Sequence, residues 1–181
     1  DKIYFQNSGT EANEAMIKMA RKYGVEKYGP HKYNIVTAKM GFHGRTFGSM
    51  SATGQPDNAC QIGFGDMTPG FTYADYNDLE SFRNACTENT IAIMVEPVQG
   101  EGGVHPATKE FLCGLRQLCD EKGMLLLLDD THRIGLAGGV RASRFIRRVT
   151  GGVPGVGGFA GGIVLAAAGQ EGAAHSSCQK E

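Results

Sequence analysis

The chain has 181 residues, of which 41% are hydrophobic and 20% charged, a balance typical of one globular domain with a core of its own. The formal net charge of −1 predicts no nucleic acid among its partners, and an aliphatic run confined to 124–128 predicts no membrane. Five scattered cysteines with no CxxC pair predict reduced thiols in the cytoplasm and no metal site.

Strands and helices alternate along the first 130 residues. Apolar, β-branched and aromatic runs predict strands at 3–5, 34–37, 91–95 and 124–128. Helical spacing of apolar residues predicts helices at about 10–23, 77–86 and 107–122. Because the last two strands are apolar throughout, we expect them to be parallel and covered on both faces. The predicted fold class is α/β, with ligands at the carboxyl ends of the strands.

The first predicted helix follows a run of small polar residues, Asn7-Ser8-Gly9-Thr10. Its apolar stripe consists of Ala12, Met16, Met19, Ala20 and Tyr23, and Gly24 predicts its end. Ser8 or Thr10 suits the N-cap, which is one interpretation of the segment. The other is an anion site, since Gly9 lets the backbone approach a ligand and the N–H groups at a helix start attract a phosphate.

Three further segments carry polar side chains after predicted strands. In Gly41-Phe42-His43-Gly44-Arg45-Thr46, Phe42 can stack on a flat ring and Arg45 can bind a carboxylate, whereas His43 is expected to be a structural hydrogen-bonding residue. Glu101, in a glycine-rich loop, is either a solvated charge or an ionic partner in a cleft. Asp129 ends an apolar strand, where its carboxylate needs a cation such as a protonated pyridine nitrogen.

Six motifs then occur in a family's order over about 70% of the chain. They are Asn7-Ser8-Gly9-Thr10-Glu11-Ala12-Asn13-Glu14-Ala15, Phe42-His43-Gly44-Arg45-Thr46, Ser51-Ala52-Thr53-Gly54-Gln55, Tyr76-Asn77-Asp78-Leu79, Glu96-Pro97-Val98-Gln99-Gly100-Glu101-Gly102-Gly103 and Leu126-Leu127-Leu128-Asp129-Asp130. In these motifs the chain resembles the class III, ornithine-type aminotransferases. The motif sequences are most similar to those of acetylornithine and ornithine aminotransferases. The resemblance implies part of the large domain of the aspartate-aminotransferase-type fold, a mainly parallel sheet flanked by helices.

The same resemblance implies the cofactor pyridoxal 5'-phosphate and a role for each matching residue. Gly9 and Thr10 would bind the cofactor phosphate, Phe42 would stack on its ring, and Asp129 would face the pyridine nitrogen. Arg45 would bind a substrate carboxylate, and Glu101 matches a family glutamate that pairs with a second substrate-binding arginine. Amino acid and 2-oxo acid substrates and a homodimer are implied for the intact enzyme.

The resemblance ends near residue 130, where the composition changes. Residues 1–130 have a charge balance of −5, with 12 Lys and Arg against 17 Asp and Glu, whereas residues 131–181 have +4 and 12 of the 27 glycines. We therefore expect a folded cofactor-binding part over 1–130 and a poorly specified tail over 131–181. A shifted reading frame from about residue 131 and a naturally divergent terminus both remain open.

The tail also lacks the lysine that should carry the cofactor covalently. In the family it follows the aspartate by some 25–30 residues, and positions 155–160 read Gly155, Val156, Gly157, Gly158, Phe159 and Ala160. We therefore expect an inactive fragment of an aminotransferase that uses acetylornithine, or a related amino acid, and 2-oxoglutarate. Two alternatives stay open: a non-catalytic pyridoxal-phosphate-binding relic, and a 4-aminobutyrate-type aminotransferase.

Overall fold

A computed structural model describes residues 4–55, 59–101 and 103–130, together with the backbone of 164–167. Its helices are α1 (Gly9–Tyr28), α2 (Phe47–Ala52), α3 (Leu79–Ala85) and α4 (Lys109–Lys122). Its strands are β1 (Asn34–Ala38), β2 (Phe71–Ala74), β3 (Thr90–Val95), β4 (Val98–Gln99), β5 (His105–Pro106), β6 (Leu125–Asp129) and β7 (Val164–Ala167). In this described part, no helix is long and apolar enough to cross a bilayer.

The main sheet has the strand order β2-β1-β3-β6-β7. The four strands from β2 to β6 are parallel, and β7 runs antiparallel to β6. Since parallel strands end at the same edge of a sheet, the segments that follow β1, β3 and β6 come together there. The sequence predicted chemistry for all three of these segments and also for the start of the first helix. The α/β fold with a parallel sheet flanked by helices is confirmed.

Helices cover both faces of the sheet because the strand side chains alternate between two apolar clusters. On one face, Met16, Ile17 and Ala20 of α1 pack with Met94 and Leu127. On the other face, the core residues of α3 and α4 are Phe82, Phe111, Leu112, Leu115 and Leu118, and they pack against β3 and β6 side chains. Burial of each large aliphatic or aromatic side chain contributes about 1.5–3 kcal/mol.

The alternation also determines where the polar residues at the strand ends point. Leu127 faces α1, whereas Leu126 and Leu128 face the opposite cluster. Asp129 is two residues beyond Leu127, so its side chain lies on the α1 face. Glu96 stands in the same relation to Met94 of β3. Asp129 is therefore directed towards the helix that begins at Gly9, whereas Glu96 reaches the loop after β1, where its Oε2 accepts a hydrogen bond from Phe42 N.

Several boundaries differ from the sequence prediction. Tyr4 and Phe5 are exposed and lie outside any strand, because a strand requires a hydrogen-bonded neighbour and no described strand lies beside them. Ile3 lies outside the described residues, as do the tail positions 131–163 and 168–181. The four residues of β7 are a strand that tail composition did not predict.

The predicted end of the first helix is also wrong. Helix α1 continues through Gly24 to Tyr28 and is capped by Gly29, with φ +105°. Gly24 is buried, and a Cβ added there would lie 2.1 Å from the carbonyl oxygen of Lys32. This glycine therefore permits close packing and does not end the helix. Met19 and Tyr23 are exposed, so the buried face is rotated from the predicted stripe towards Asn13 and Ile17.

The cysteines agree with prediction in part. Cys60, Cys86 and Cys119 are thiols. Cys113 is disulfide-bonded, so the prediction of a reduced thiol is wrong there. Among the described residues, no cluster of His, Cys, Asp and Glu suits a metal ion.

Candidate functional site

The buried carboxylate of Asp129 is the centre of the site. The side chain is 0% exposed, and its Oδ2 accepts a hydrogen bond of 2.7 Å from Asn13 Nδ2. The same oxygen lies 2.8 Å from His43 Nδ1. An ionised carboxylate only accepts hydrogen bonds, so His43 carries a hydrogen on Nδ1 when Asp129 is charged. The buried charge predicted from the sequence thus has two hydrogen-bond donors inside the protein.

His43 is a buried hydrogen-bonding residue, as the sequence predicted. In addition to the Asp129 contact, its backbone N–H donates to Thr53 Oγ1 at 3.0 Å, and its carbonyl accepts from Asn13 Nδ2 at 2.8 Å. The residue is therefore held by its main chain at two points and by its ring at a third. These contacts fix the position of Phe42, the neighbouring residue.

The start of α1 lies beside this cluster. Ser8 is the N-cap, and its hydroxyl accepts a hydrogen bond from Glu11 N at 3.3 Å. Gly9 and Thr10 occupy the first turn, where helical geometry provides no main-chain acceptor for their N–H groups. Asn13 lies about one turn further along. Helix α1 therefore carries both the predicted anion site and a hydrogen-bond donor to Asp129. Capping and an anion site are compatible here.

The loop after β1 packs tightly on the start of α1. Gly44 has φ +127°, and a Cβ added to it would lie 2.0 Å from Thr10 Oγ1. Glu14 contributes to the same contact, because its Oε1 accepts from Ser49 N at 2.9 Å and from the Thr46 hydroxyl. Glu14 therefore caps α2.

Phe42 and Arg45 lie on that loop as an aromatic–cation pair. Arg45 is exposed, and its guanidinium carbon is 5.8 Å from the centroid of the Phe42 ring. The ring is half-buried, so one part of it packs on the protein and another part remains accessible. An exposed cation next to an accessible ring is suited to a flat ligand with an anionic substituent.

Glu96 was not assigned a role from the sequence, yet it is buried at 1% exposure. Its Oε2 accepts a hydrogen bond of 2.9 Å from Phe42 N, and its carbonyl accepts one of 2.8 Å from the Tyr76 hydroxyl. Burial, and then the Glu96 charge, raise the pKa of Tyr76 well above its usual value. Glu101 lies further along the same segment, in an exposed turn between β4 and β5.

The structure thus connects Thr10, Phe42 and Asp129 through the packing of Gly44 on Thr10 and the hydrogen bonds of Asn13 and His43. It also reveals two residues that the sequence did not predict. The sequence predicted no role for Asn13, because capping concerns only the residues at the very start of a helix. The available signal was a polar side chain on the buried face of an amphipathic helix. Glu96 was overlooked because a glutamate after a strand also suits a solvated loop.

A parallel sheet with a helix start, an aromatic ring and a buried carboxylate at its carboxyl edge is an arrangement suited to an anionic aromatic ligand. The sequence pattern of the class-III aminotransferases matches residues 1–138. The chain belongs to this family, as the motifs predicted.

Curated relatives and solved structures agree with this assignment. The chain is 49% identical over 131 residues to an acetylornithine aminotransferase of Caldanaerobacter subterraneus, a region covering 72% of the chain and 33% of that protein. It is 50% identical over 132 residues to a succinylornithine transaminase of Salmonella paratyphi B, covering 73% and 32%. An N-acetylornithine aminotransferase structure from Stenotrophomonas maltophilia has a TM-score of 0.55 at 36% identity, covering 71% and 29%. An ornithine aminotransferase structure from Toxoplasma gondii has a TM-score of 0.62 at 28% identity, and the match covers 72% of the chain and 38% of that protein.

The chain spans about a third of the length of the curated relatives it matches. The matched region contains the start of α1, the loop after β1 and the end of β6, which together form the site described above.

Proposed function

We propose that this chain is the cofactor-binding part of an aminotransferase that transfers an amino group from acetylornithine, or a related amino acid, to 2-oxoglutarate. Family membership and the acetylornithine and succinylornithine relatives support the reaction class and the donor. The observation that carries the proposal is Asp129, a fully buried carboxylate hydrogen-bonded to the helix that begins at Gly9.

The donor set of the site fits pyridoxal 5'-phosphate. The first-turn N–H groups of Gly9 and Thr10 would bind its phosphate, helped by the positive end of the α1 dipole. Phe42 would stack on the ring, and Asp129 would hold the ring nitrogen in its protonated form. When bound, the cofactor supplies an electron-withdrawing ring that stabilises negative charge on the substrate carbon. The tight packing of Gly44 on Thr10 would hold the phosphate end of the site beside the loop that carries Phe42.

Arg45 would bind the substrate carboxylate through paired hydrogen bonds. Its exposed position next to Phe42 supports this role, since the substrate must reach the ring from solvent. Glu101 would pair, in the intact enzyme, with a second substrate-binding arginine that this chain does not visibly contain. Arg45 would also suit the carboxylate of 4-aminobutyrate, so the choice of amino donor rests on the named relatives.

The chain as it stands would bind the cofactor reversibly and would not transaminate, because residues 155–160 contain no lysine. This absence also favours the second candidate, a non-catalytic pyridoxal-phosphate-binding relic. Residues 1–130 would be the cofactor-binding part and 131–181 a divergent or frameshifted tail. A homodimer and a cytoplasmic location belong to the proposal on sequence grounds alone.

Titration of the purified chain with pyridoxal phosphate, followed by absorbance and fluorescence, tests the cofactor site. We expect saturable binding that inorganic phosphate competes for and dialysis reverses. Asp129→Asn should weaken binding roughly 10–100-fold, since a charge-assisted hydrogen bond is worth about 1.5–3 kcal/mol. Asp130→Asn, the adjacent carboxylate, serves as the matched control and should leave the affinity unchanged.

Two results would contradict the proposal. Equal affinities in the two variants would remove Asp129 from the cofactor site. Covalent retention after borohydride reduction, mapped to one lysine, would show that the chain does contain the attachment site. Complementation of a strain that lacks acetylornithine aminotransferase, by the corresponding full-length gene, separates the enzyme from the relic.

A further inference from the structure

The side-chain amide of Asn13 closes a ring of hydrogen bonds around Asp129. Its Nδ2 donates to Asp129 Oδ2 at 2.7 Å and to the His43 carbonyl at 2.8 Å. The third side of the ring is the 2.8 Å contact between His43 Nδ1 and Asp129 Oδ2. A primary amide has two N–H hydrogens, and each of these has one acceptor here. The donor capacity of Asn13 Nδ2 is therefore fully used.

Asn13 is an unusual residue for its position. It is 1% exposed, on the same buried face of α1 as Met16, Ile17 and Ala20. A buried amide without hydrogen bonds destabilises a protein by about 1–3 kcal/mol, and an apolar residue would suit this face better on packing grounds alone. Its Oδ1 is a buried atom with no hydrogen-bond partner among the described residues. Asn13 thus gains hydrogen bonds to Asp129 and His43, but its buried oxygen makes the packing of this helix face less stable than an apolar side chain would.

We propose that Asn13 is a positioning residue that holds the Asp129 carboxylate in the orientation and charge state needed by the cofactor ring nitrogen. This inference rests on the proposed function, and it adds to that function a residue that touches neither cofactor nor substrate. Asn13 and His43 contact the same carboxylate oxygen from two different elements, α1 and the loop after β1. Rotation of the carboxylate about its Cβ–Cγ bond would break both contacts.

The charge state follows from the same geometry. Each hydrogen bond donated to a carboxylate favours its ionised form, and the low dielectric of a buried site strengthens the effect. Removal of Asn13 takes away one donor to Oδ2, keeps the contact from His43, and also removes the donor to the His43 carbonyl. We expect Asp129 then to be less well aligned and less able to keep a pyridine nitrogen protonated.

A matched pair of ligands isolates this effect. Pyridoxal 5'-phosphate and its 1-deaza analogue differ only in the ring nitrogen, which carbon replaces in the analogue. The unsubstituted chain should prefer the nitrogen-containing ligand. Asn13→Leu keeps the approximate volume and removes both donors, so we expect the preference to fall about tenfold while affinity for the analogue changes little. Asn13→Ser retains one donor and should lie between the two.

A control on the same helix separates positioning from general destabilisation. Ile17→Ala removes a buried side chain from α1 without touching the hydrogen-bonded ring, so it should lower stability and leave the ligand preference intact. A second measurement needs no ligand. It is the NMR resonance of the His43 Nδ1–H proton in the ¹⁵N-histidine-labelled chain, which is assigned by its disappearance in His43→Gln. Its resonance should be far downfield and slow to exchange, and it should move in Asn13→Leu but not in Ile17→Ala.

An unchanged ligand preference together with an unchanged His43 proton in both Asn13 variants would overturn the inference. If Asn13→Leu does not fold, the Ser variant decides by the same two measurements. An absence of any ligand preference in the unsubstituted chain would instead overturn the proposed function. In that case the His43 proton alone decides whether Asn13 positions Asp129.

Discussion

Replacement of Gly44 by alanine tests the contact between the loop after β1 and the start of α1. Gly44 has φ +127°, a conformation that residues with a side chain rarely adopt. The added Cβ would also lie 2.0 Å from Thr10 Oγ1 and 2.7 Å from Ser49 Oγ. Both distances are shorter than van der Waals contact, so either the loop or the first turn of α1 must move.

The two effects can be estimated separately. A positive φ destabilises a residue with a Cβ by about 1–2 kcal/mol, and insertion of an atom into a packed site adds about 1–3 kcal/mol. We therefore expect Gly44→Ala to lower the free energy of unfolding by about 2–5 kcal/mol. Gly63 is the matched control, since it has φ +89° with nothing within 4 Å of an added Cβ. Gly63→Ala should lower the free energy of unfolding only by the conformational contribution, about 1–2 kcal/mol.

Urea unfolding followed by circular dichroism measures both variants, and pyridoxal phosphate titration follows the cofactor site. We expect Gly44→Ala to be the less stable variant and to bind the cofactor more weakly, because Thr10 is displaced. Gly63→Ala should bind like the unsubstituted chain. Equal losses of stability in the two variants, with cofactor affinity unchanged, would refute the proposed contact between Gly44 and the phosphate site.

Three further predictions follow from local contacts. Gly24→Ala should lower the free energy of unfolding by about 1–3 kcal/mol, because the added Cβ would lie 2.1 Å from the Lys32 carbonyl oxygen. This loss exceeds the gain from alanine's higher helix propensity. The midpoint of urea unfolding measures the change. Ser8→Ala should lower stability by about 1 kcal/mol through loss of the bond from Glu11 N, whereas Ser8→Thr should restore most of it in the same assay. Burial raises the pKa of the Cys119 thiol from 9.0 to about 12, so the unfolded chain loses this proton first. Its contribution to stability is therefore complete below pH 9 and declines as pH rises to about 12. Cys119→Ala should flatten that decline in unfolding curves measured across this range.

Sequence patterns were informative where a structural property depends on near neighbours in the chain. The continuous apolar runs of β3 and β6 indicated strands covered on both faces, and the order of motifs indicated the family. Elements that depend on distant partners were missed. Helix α2 has only six residues, too few to be stable alone, and its N-terminus is capped by Glu14 from another helix. Strand β2 has four residues and depends on pairing with β1.

By itself, the sequence determined that Asp129 ends a buried strand, because an apolar run followed by an acid is a local feature. It also determined that a helix begins near Thr10, directly after a run of small polar residues. Only the tertiary structure decided which side chains meet Asp129. Asn13 and His43 are separated from it by 116 and 86 positions, and they reach it because α1 and the loop after β1 pack against one edge of a parallel sheet. Hydrogen bonds act over about 3 Å in space, a distance that position along the chain does not specify.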